Sequence, residues 1–447
     1  MEMKESMREM PTVMVAFGVT GDLMRIKVIP ALFALHVHGD LPEKFCLVGF
    51  SRRDWGDADF REYVREIITW RSDRHTQRVA VGPPHAATEK DIASFLNLLK
   101  FQSGDFSDKE SYAALKRMID GVDASWGVCT NKIFYFAVAP NFYEPIIADL
   151  ASSGLSEGCS PEEGWSRVIV EKPFGHDGES AAQLESLLAR DFKEEQIYRI
   201  DHYLGKAVLQ DVFDFRFDDG SLEAAWDAKH IESITIRALE TLGAEKRGAF
   251  YDSVGALRDV GQNHSLATLS LLTMDRPSER TADAIREERG AALEALEIIP
   301  YDAMASETFR AQYDGFREIR GVAPDSNTET YFKICASLRS ARWHGVPIII
   351  EAGKRLAVPE KEVVVRFKDG SLKRFDFNTA VQYTEEYERL LLDAIRGDQT
   401  RFVSRREIEA AWRFVDPIER AWRAGAKLVP LHRYAPGTSD ITRQADF

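Results

Sequence analysis

Between residues 12 and 175 the chain carries four apolar runs: TVMVAF (12–17), FCLVGF (45–50), NKIFYFAVAP (131–140) and SRVIVEKPFG (166–175). They are apolar on both faces rather than alternating, so they read as fully buried strands. Helical spacing fills IPALFAL and residues 57–69, 108–119 and 177–190 between them. Buried strands alternating with amphipathic helices predict an α/β layer on a parallel sheet.

Beyond residue 200 the pattern changes. HIESITIRALE (230–240) alternates with period two, and TETYFKICASL (328–338), VPIIIEAG and EVVVRF read as further strands. Helical stretches are expected at 250–273 and 280–296, and a helical tail from near 383. Grouped strands with flanking helices predict an α+β domain with a large, mainly antiparallel sheet. The expected division is therefore a first domain over 1–200 and a second over 201–447.

Composition narrows the class. Apolar content of 44% with 29% charged residues suits a soluble globular chain. No apolar run reaches the ~18 residues a membrane helix needs. The first residues, MEMKESMREMPT, hold no apolar signal core. Cys46, Cys129, Cys159 and Cys335 are scattered without a CxxC pair, which predicts reduced, buried thiols in a cytoplasmic protein. The net charge of −14 argues against a nucleic-acid partner and means that any phosphate must be met by local cations.

Candidate chemistry clusters at element ends. GVTGDL places Gly18 and Gly21 at a strand-to-helix turn. Glycine there lets the backbone approach a pyrophosphate at a helix N-terminus. The alternative is a plain helix start capped by Thr20 or Asp22. Arg52 and Arg53 follow the second strand, where a guanidinium suits a 2′-phosphate, although solvated charge and Asp54 compete with that reading. Lys172 ends an apolar strand, beside Pro173 and Gly175, at the edge where α/β sheets place ligands; a snorkelling lysine is the bland alternative. His264, with Asp259 and Asn263 nearby, sits on an otherwise apolar helix, either as a packed histidine or as a proton acceptor. Glu240 ends an apolar strand face, where a carboxylate needs partners.

RIDHYLGK (199–206) gathers an acid, an imidazole, a phenol and an amine at the expected domain boundary. Were a helix to start near 202, His202 and Lys206 would share one face and reach one phosphate.

GVTGDL, EKPFG, RIDHYLGK, RDVGQNH, TETY and GVPIIIEAGKRL occur in order from about residue 12 to the C-terminal helices. Together they resemble the glucose-6-phosphate dehydrogenase family. The resemblance implies a Rossmann-like coenzyme domain and a β+α substrate domain. It implies oxidation of glucose 6-phosphate at C1 to the lactone, with hydride passing to NADP, or to NAD as the alternative, and without a metal. By position, His264 matches the general base and Asp201 the carboxylate that supports it. His202, Tyr203 and Lys206 match the groups that hold the sugar phosphate. Glu240, Asp259, Lys172 and Lys354 match contacts to the sugar hydroxyls. Gly18, Thr20, Gly21, Asp22, Leu23 and Arg52 match cofactor positions, with Lys172 touching the cofactor side, and Pro173 matches a cis proline.

The chain also departs from the family pattern. Pro359 stands where a second cation commonly lies, with Lys361 or Arg355 as candidate replacements. Asp211 replaces a usual asparagine, and WDAK follows Ala225. Roughly forty residues are missing after EVVVRF, which implies fewer strands and a different sheet edge. The trimmed sheet implies no second NADP and argues against the family's usual dimer, which leaves a homo-oligomer as an open expectation. A dehydrogenase of the same mechanism for another sugar or sugar phosphate, and a non-catalytic relative with the same fold, are the competing expectations.

Overall fold

A computed structural model of the chain describes residues 10–73, 87–160, 163–218, 223–377, 385–425 and 428–444. They fall into two compact units, one formed from 1–174, 183–205 and 381–403 and the other from 175–182, 206–380 and 404–447. The first residues of the chain and the expected start of the helical tail near 383 lie outside the described residues. Among the described residues no helix is long and apolar enough to cross a membrane.

Among the described residues the first unit holds six strands: β1 (Thr12–Phe17), β2 (Phe45–Ser51), β3 (Leu99–Ser103), β4 (Asn131–Phe136), β5 (Ser166–Glu171) and β6 (Ile197–Ile200). They pair in the order β3-β2-β1-β4-β5-β6, and every pair is parallel. This is the doubly wound order, whose chain reversal between β1 and β4 opens a crevice at the strand C-termini. β1, β2 and β4 are buried along their whole length, which is why their sequences are apolar without alternation. Helix Ile29–His38 and helix Glu385–Arg396 supply Leu32, Leu390, Leu391 and Ala394 to the same core as Met14, Leu47 and Ile133. Arg167 of β5 donates Nη1 to the carbonyls of Ala394 (2.7 Å) and Ile395 (2.9 Å), satisfying the end of the second helix.

The four long strands stand where the apolar runs predict them, although β4 stops at Phe136 and a short turn, Pro140–Phe142, follows. β3 and β6 are short and carried no separate signal.

The expectation of four reduced thiols is corrected. Cys46 is a buried free thiol and Cys335 a half-buried one, but Cys129 and Cys159 form a disulfide with a Cα–Cα distance of 6.3 Å. They lie 30 residues apart in sequence. β4 and β5 are adjacent and parallel, so the residues that precede each strand arrive at the same sheet edge.

The second unit holds β7 (Ile231–Leu239), β8 (Thr308–Tyr313), β9 (Tyr331–Ala336), β10 (Ile348–Gly353), β11 (Glu360–Phe367), β12 (Leu372–Asp376) and β13 (Leu431–Tyr434). Their order is β12-β11-β7-β10-β9-β8-β13. Neighbours are antiparallel except β7 with β10 and β8 with β13, so the sheet is mixed and mostly antiparallel, as expected. The single helix expected over 250–273 is instead three segments: Gly248–Ala256, a π-helical turn Leu257–Ser265, and Leu266–Thr273. Gly255 takes φ +76° at the first junction, a left-handed conformation that breaks the helix.

Candidate active site

In the first unit, the turn after β1 is built around Gly18. Its φ is +76° and its N–H donates to Phe50 O at 3.0 Å. A methyl group there would lie 2.5 Å from Ala137 O and 2.7 Å from Val138 Cγ1, so the backbones of the β1 and β4 ends approach only because the residue is glycine. Thr20, Gly21, Asp22 and Leu23 continue the turn into the π-helical segment Met24–Val28. Asp22 pairs with Arg25 at 3.1 Å, and the segment starts from Leu23 without a side-chain cap. The concave turn at the switch point therefore fits a dinucleotide pyrophosphate. Arg52 and Arg53 are both exposed at the end of β2, and the Arg53 guanidinium lies 4.9 Å from the centre of the Trp55 ring.

Lys172 follows β5 and is joined to Pro173 by a cis peptide. The sequence assigns no role to Glu171, the residue that opens EKPFG. Its carboxylate accepts a hydrogen bond from Tyr135 Oη. Burial pushes its pKa up to about 7, while hydrogen bonds from Tyr135 and Tyr387 and the Lys172 charge pull the other way.

The RIDHYLGK stretch corrects the expected helix. His202–Gly205 is one 3₁₀ turn, and the α-helix begins only at Ala207. Asp201 causes this: its Oδ1 accepts from Tyr203 N at 3.0 Å, and its carbonyl from Leu204 N at 3.0 Å. The same-face helical spacing of His202 and Lys206 therefore does not hold. Lys206, in the second unit, is the extended N-cap residue of helix Ala207–Phe217. Asp201 is buried, whereas His202 and Tyr203 are half-buried. Arg199 is fully buried and pairs with Glu185 (2.5 Å) and Glu194 (2.8 Å). The arginine of the motif is thus structural: a charge this deep needs such partners.

In the second unit, sheet register assembles a cluster. Gly353 of β10 pairs in parallel with Leu239 of β7, so the next residues, Lys354 and Glu240, emerge side by side. Lys354 Nζ lies 2.7 Å from Glu240 Oε2 and 3.8 Å from Asp259 Oδ2. It also lies 5.1 Å from the centre of the Tyr251 ring, a cation–π contact. Antiparallel β11 places Lys361 opposite Ala238, on the face of Glu240, where Lys361 Nζ reaches Glu240 Oε1 at 2.6 Å. Burial alone would raise the Glu240 carboxyl, but the two lysines hold it at about 2. Arg355, the other candidate replacement, pairs with Glu245 instead. Pro359 is exposed. Asp259 and the buried His264 share the π-helical segment, which closes with Thr268 Oγ1 donating to His264 O at 2.8 Å.

A parallel sheet in this order with a glycine turn at its switch point, in one chain with a mixed-sheet unit bearing carboxylates, lysines and a buried histidine, defines a nicotinamide-dependent oxidoreductase. The family model "Glucose-6-phosphate dehydrogenase, NAD binding domain" matches residues 15–211, and "Glucose-6-phosphate dehydrogenase, C-terminal domain" matches 213–382 and 373–446. The chain belongs to the glucose-6-phosphate dehydrogenase family. It is 32% identical to the glucose-6-phosphate 1-dehydrogenase of Bacillus subtilis over 474 aligned positions, covering 94% of this chain and 93% of that one. It is 34% identical to the enzyme of that name from Borreliella burgdorferi, covering 91% of each. Among solved structures, a glucose-6-phosphate dehydrogenase in complex with glucose 6-phosphate superposes with a TM-score of 0.85 at 28% identity, covering 98% of this chain and 97% of that one. A glucose-6-phosphate 1-dehydrogenase from Mycobacterium avium gives 0.81 at 29% identity, covering 97% of each.

Proposed function

We propose that the protein oxidises glucose 6-phosphate at C1 to 6-phosphogluconolactone, with NADP as hydride acceptor. The observation that carries this reading is the Glu240–Lys354–Asp259 cluster, whose Asp259 shares its π-helical segment with His264. Its fixed charges suit the hydroxyl groups of a sugar, and it belongs to a family whose relatives bear the enzyme's name.

His264 takes the proton of the C1 hydroxyl as general base, and Asp201 is the carboxylate that supports its charged form. His202, Tyr203 and Lys206 hold the phosphate. Glu240, Asp259, Lys172 and Lys354 orient the ring hydroxyls. Gly18, Thr20, Gly21, Asp22 and Leu23 hold the pyrophosphate. Arg52, exposed at the end of β2, meets the 2′-phosphate and favours NADP over NAD. When bound, the nicotinamide supplies the hydride acceptor, and the chain supplies orientation and the base.

The test is spectrophotometric, with saturating glucose 6-phosphate and either NADP or NAD. Failure to reduce either cofactor anywhere between about pH 6 and 9 removes the proposal. One observation favours a second reading, a related sugar phosphate as best substrate: Pro359 offers no cation, and Lys361 is engaged with Glu240. A substrate panel decides, since the highest kcat/KM for glucose 6-phosphate removes that alternative.

A further inference from the structure

The disulfide lies far along the strands from the cofactor turn. Gly18 and Lys172 follow the C-terminal ends of β1 and β5, whereas Cys129 and Cys159 precede the N-terminal ends of β4 and β5. The two cysteines line a cavity of about 760 Å³ together with Asp123, Asn131 and Glu163. Cys159 is exposed at its rim. Beneath it, Lys132 of β4 is buried, with Nζ 3.1 Å from Thr130 O and 3.8 Å from Cys159 Sγ. An ammonium at that distance favours the thiolate, the form that attacks and leaves in disulfide exchange. Gly164 keeps the space beside Cys129 open, since a methyl group there would lie 2.6 Å from the sulfur.

We propose that this cavity is a thiol–disulfide exchange site for small cationic disulfides, with Cys159 as the attacking thiol, Cys129 as the resolving thiol and Lys132 as the group that supports the Cys159 thiolate. The choice of charge follows from the lining. Asp123 and Glu163 are carboxylates, and the described lining residues include no lysine or arginine. An aminothiol disulfide such as cystamine is attracted, and an anionic one such as oxidised glutathione is repelled. Burial lowers the pKa of the Lys132 ammonium, and the nearby Asp123 carboxylate opposes that shift, which helps to keep the charge that supports the Cys159 thiolate.

The chemistry balances. The Cys159 thiolate attacks one sulfur of cystamine, the reagent's S–S bond breaks, and one cysteamine leaves and takes up the proton lost by Cys159. The Cys129 thiolate then attacks Cys159 Sγ in the mixed disulfide, and the second cysteamine leaves with the second proton. The two cysteines lose two electrons and the reagent gains them.

The experiment uses the full chain, reduced with phosphine, freed of it and exposed to cystamine or oxidised glutathione. Maleimide quenching under denaturing conditions and mass spectrometry then follow the bridge. Cystamine should close Cys129–Cys159 about tenfold faster than oxidised glutathione at low salt. Lys132→Gln should slow closure by about the same factor, and the exposed Lys116→Gln should not. Should Lys132→Gln fail to fold, single-cysteine chains carry the test. Cys159 in Cys129→Ser should then react with cystamine faster than Cys129 in Cys159→Ser. Equal rates with the two reagents, faster capture at Cys129, or no bridge after oxidation would each overturn the proposal.

Discussion

Glu329 Oε1 accepts the main-chain N–H of Leu257 at 2.9 Å, at the first residue of the π-helical segment that carries Asp259 and His264. The Glu329 carbonyl also accepts from Ala256 N at 3.1 Å. Gly255 leaves the room for this carboxylate, which a side chain at that position would strike. The Arg258 guanidinium, 3.4 Å from Glu419, holds the other side of the same junction.

This contact gives stability a pH dependence. Burial, and then the neighbouring Glu419 charge, push the Glu329 carboxyl up to about 7 from 4.5, against the Leu257 N–H and Arg258. A carboxyl raised in the folded state contributes stability that is present below the unfolded value and is lost as pH rises through about 7. Glu329→Gln cannot ionise. Its unfolding free energy should therefore fall less than the parent's between about pH 5 and 8, by on the order of 1–3 kcal/mol. Urea unfolding at the two pH values measures this, and parallel losses in both proteins would refute it.

Gly18→Ala tests the cofactor turn. An alanine at φ +76° that also meets Ala137 O carries local strain. Strain of about 1–3 kcal/mol corresponds to a dinucleotide KM higher by a factor of roughly 5 to 150. The KM for the sugar phosphate should stay within about twofold, because the strain is confined to the turn. An unchanged cofactor KM would contradict the assignment of this turn.

His264→Asn tests the base. The kcat should fall about 10²–10⁴-fold. Sugar phosphate binding, followed by calorimetry, should change little. Retained turnover at neutral pH would move the base elsewhere.

Lys354→Met and Lys361→Met separate the two partners of Glu240. The Lys354 side chain is 11% exposed and that of Lys361 31%, so water screens the second pair more. Losing Lys354 should cost about 1–2 kcal/mol at neutral pH, and losing Lys361 less than about 1 kcal/mol. Glu240 is depressed to about 2, so this stability is present above the usual glutamate range and disappears as pH falls towards 2. Denaturation at pH 7 and at about pH 3 should show the two deficits shrinking in acid.

The sequence was most legible where structure is local. Apolar runs marked β1, β2, β4 and β5 because each is buried on both faces, and period-two alternation marked β7. Local reading failed where a side chain overrode the backbone pattern. The Asp201 carboxylate captures the Tyr203 N–H, so a 3₁₀ turn forms and the helix is delayed to Ala207, and Gly255 with Glu329 splits one expected helix. Glu171 and Glu329 looked like ordinary carboxylates in strings of letters, because burial is not a local property.

By itself the sequence determined the α/β character of the first unit and its four long strands, the glycine turn, the set of residues with acid, base and cationic chemistry, and through its ordered motifs the family. Only the tertiary structure decided which of them meet within each unit. Lys354 stands 114 residues from Glu240, and the parallel register of β10 on β7 brings them together. The same kind of alignment, β4 beside β5, joins Cys129 to Cys159. Periodicity states which face of a strand is apolar, but sheet order and register, set by how those faces pack, select the neighbour.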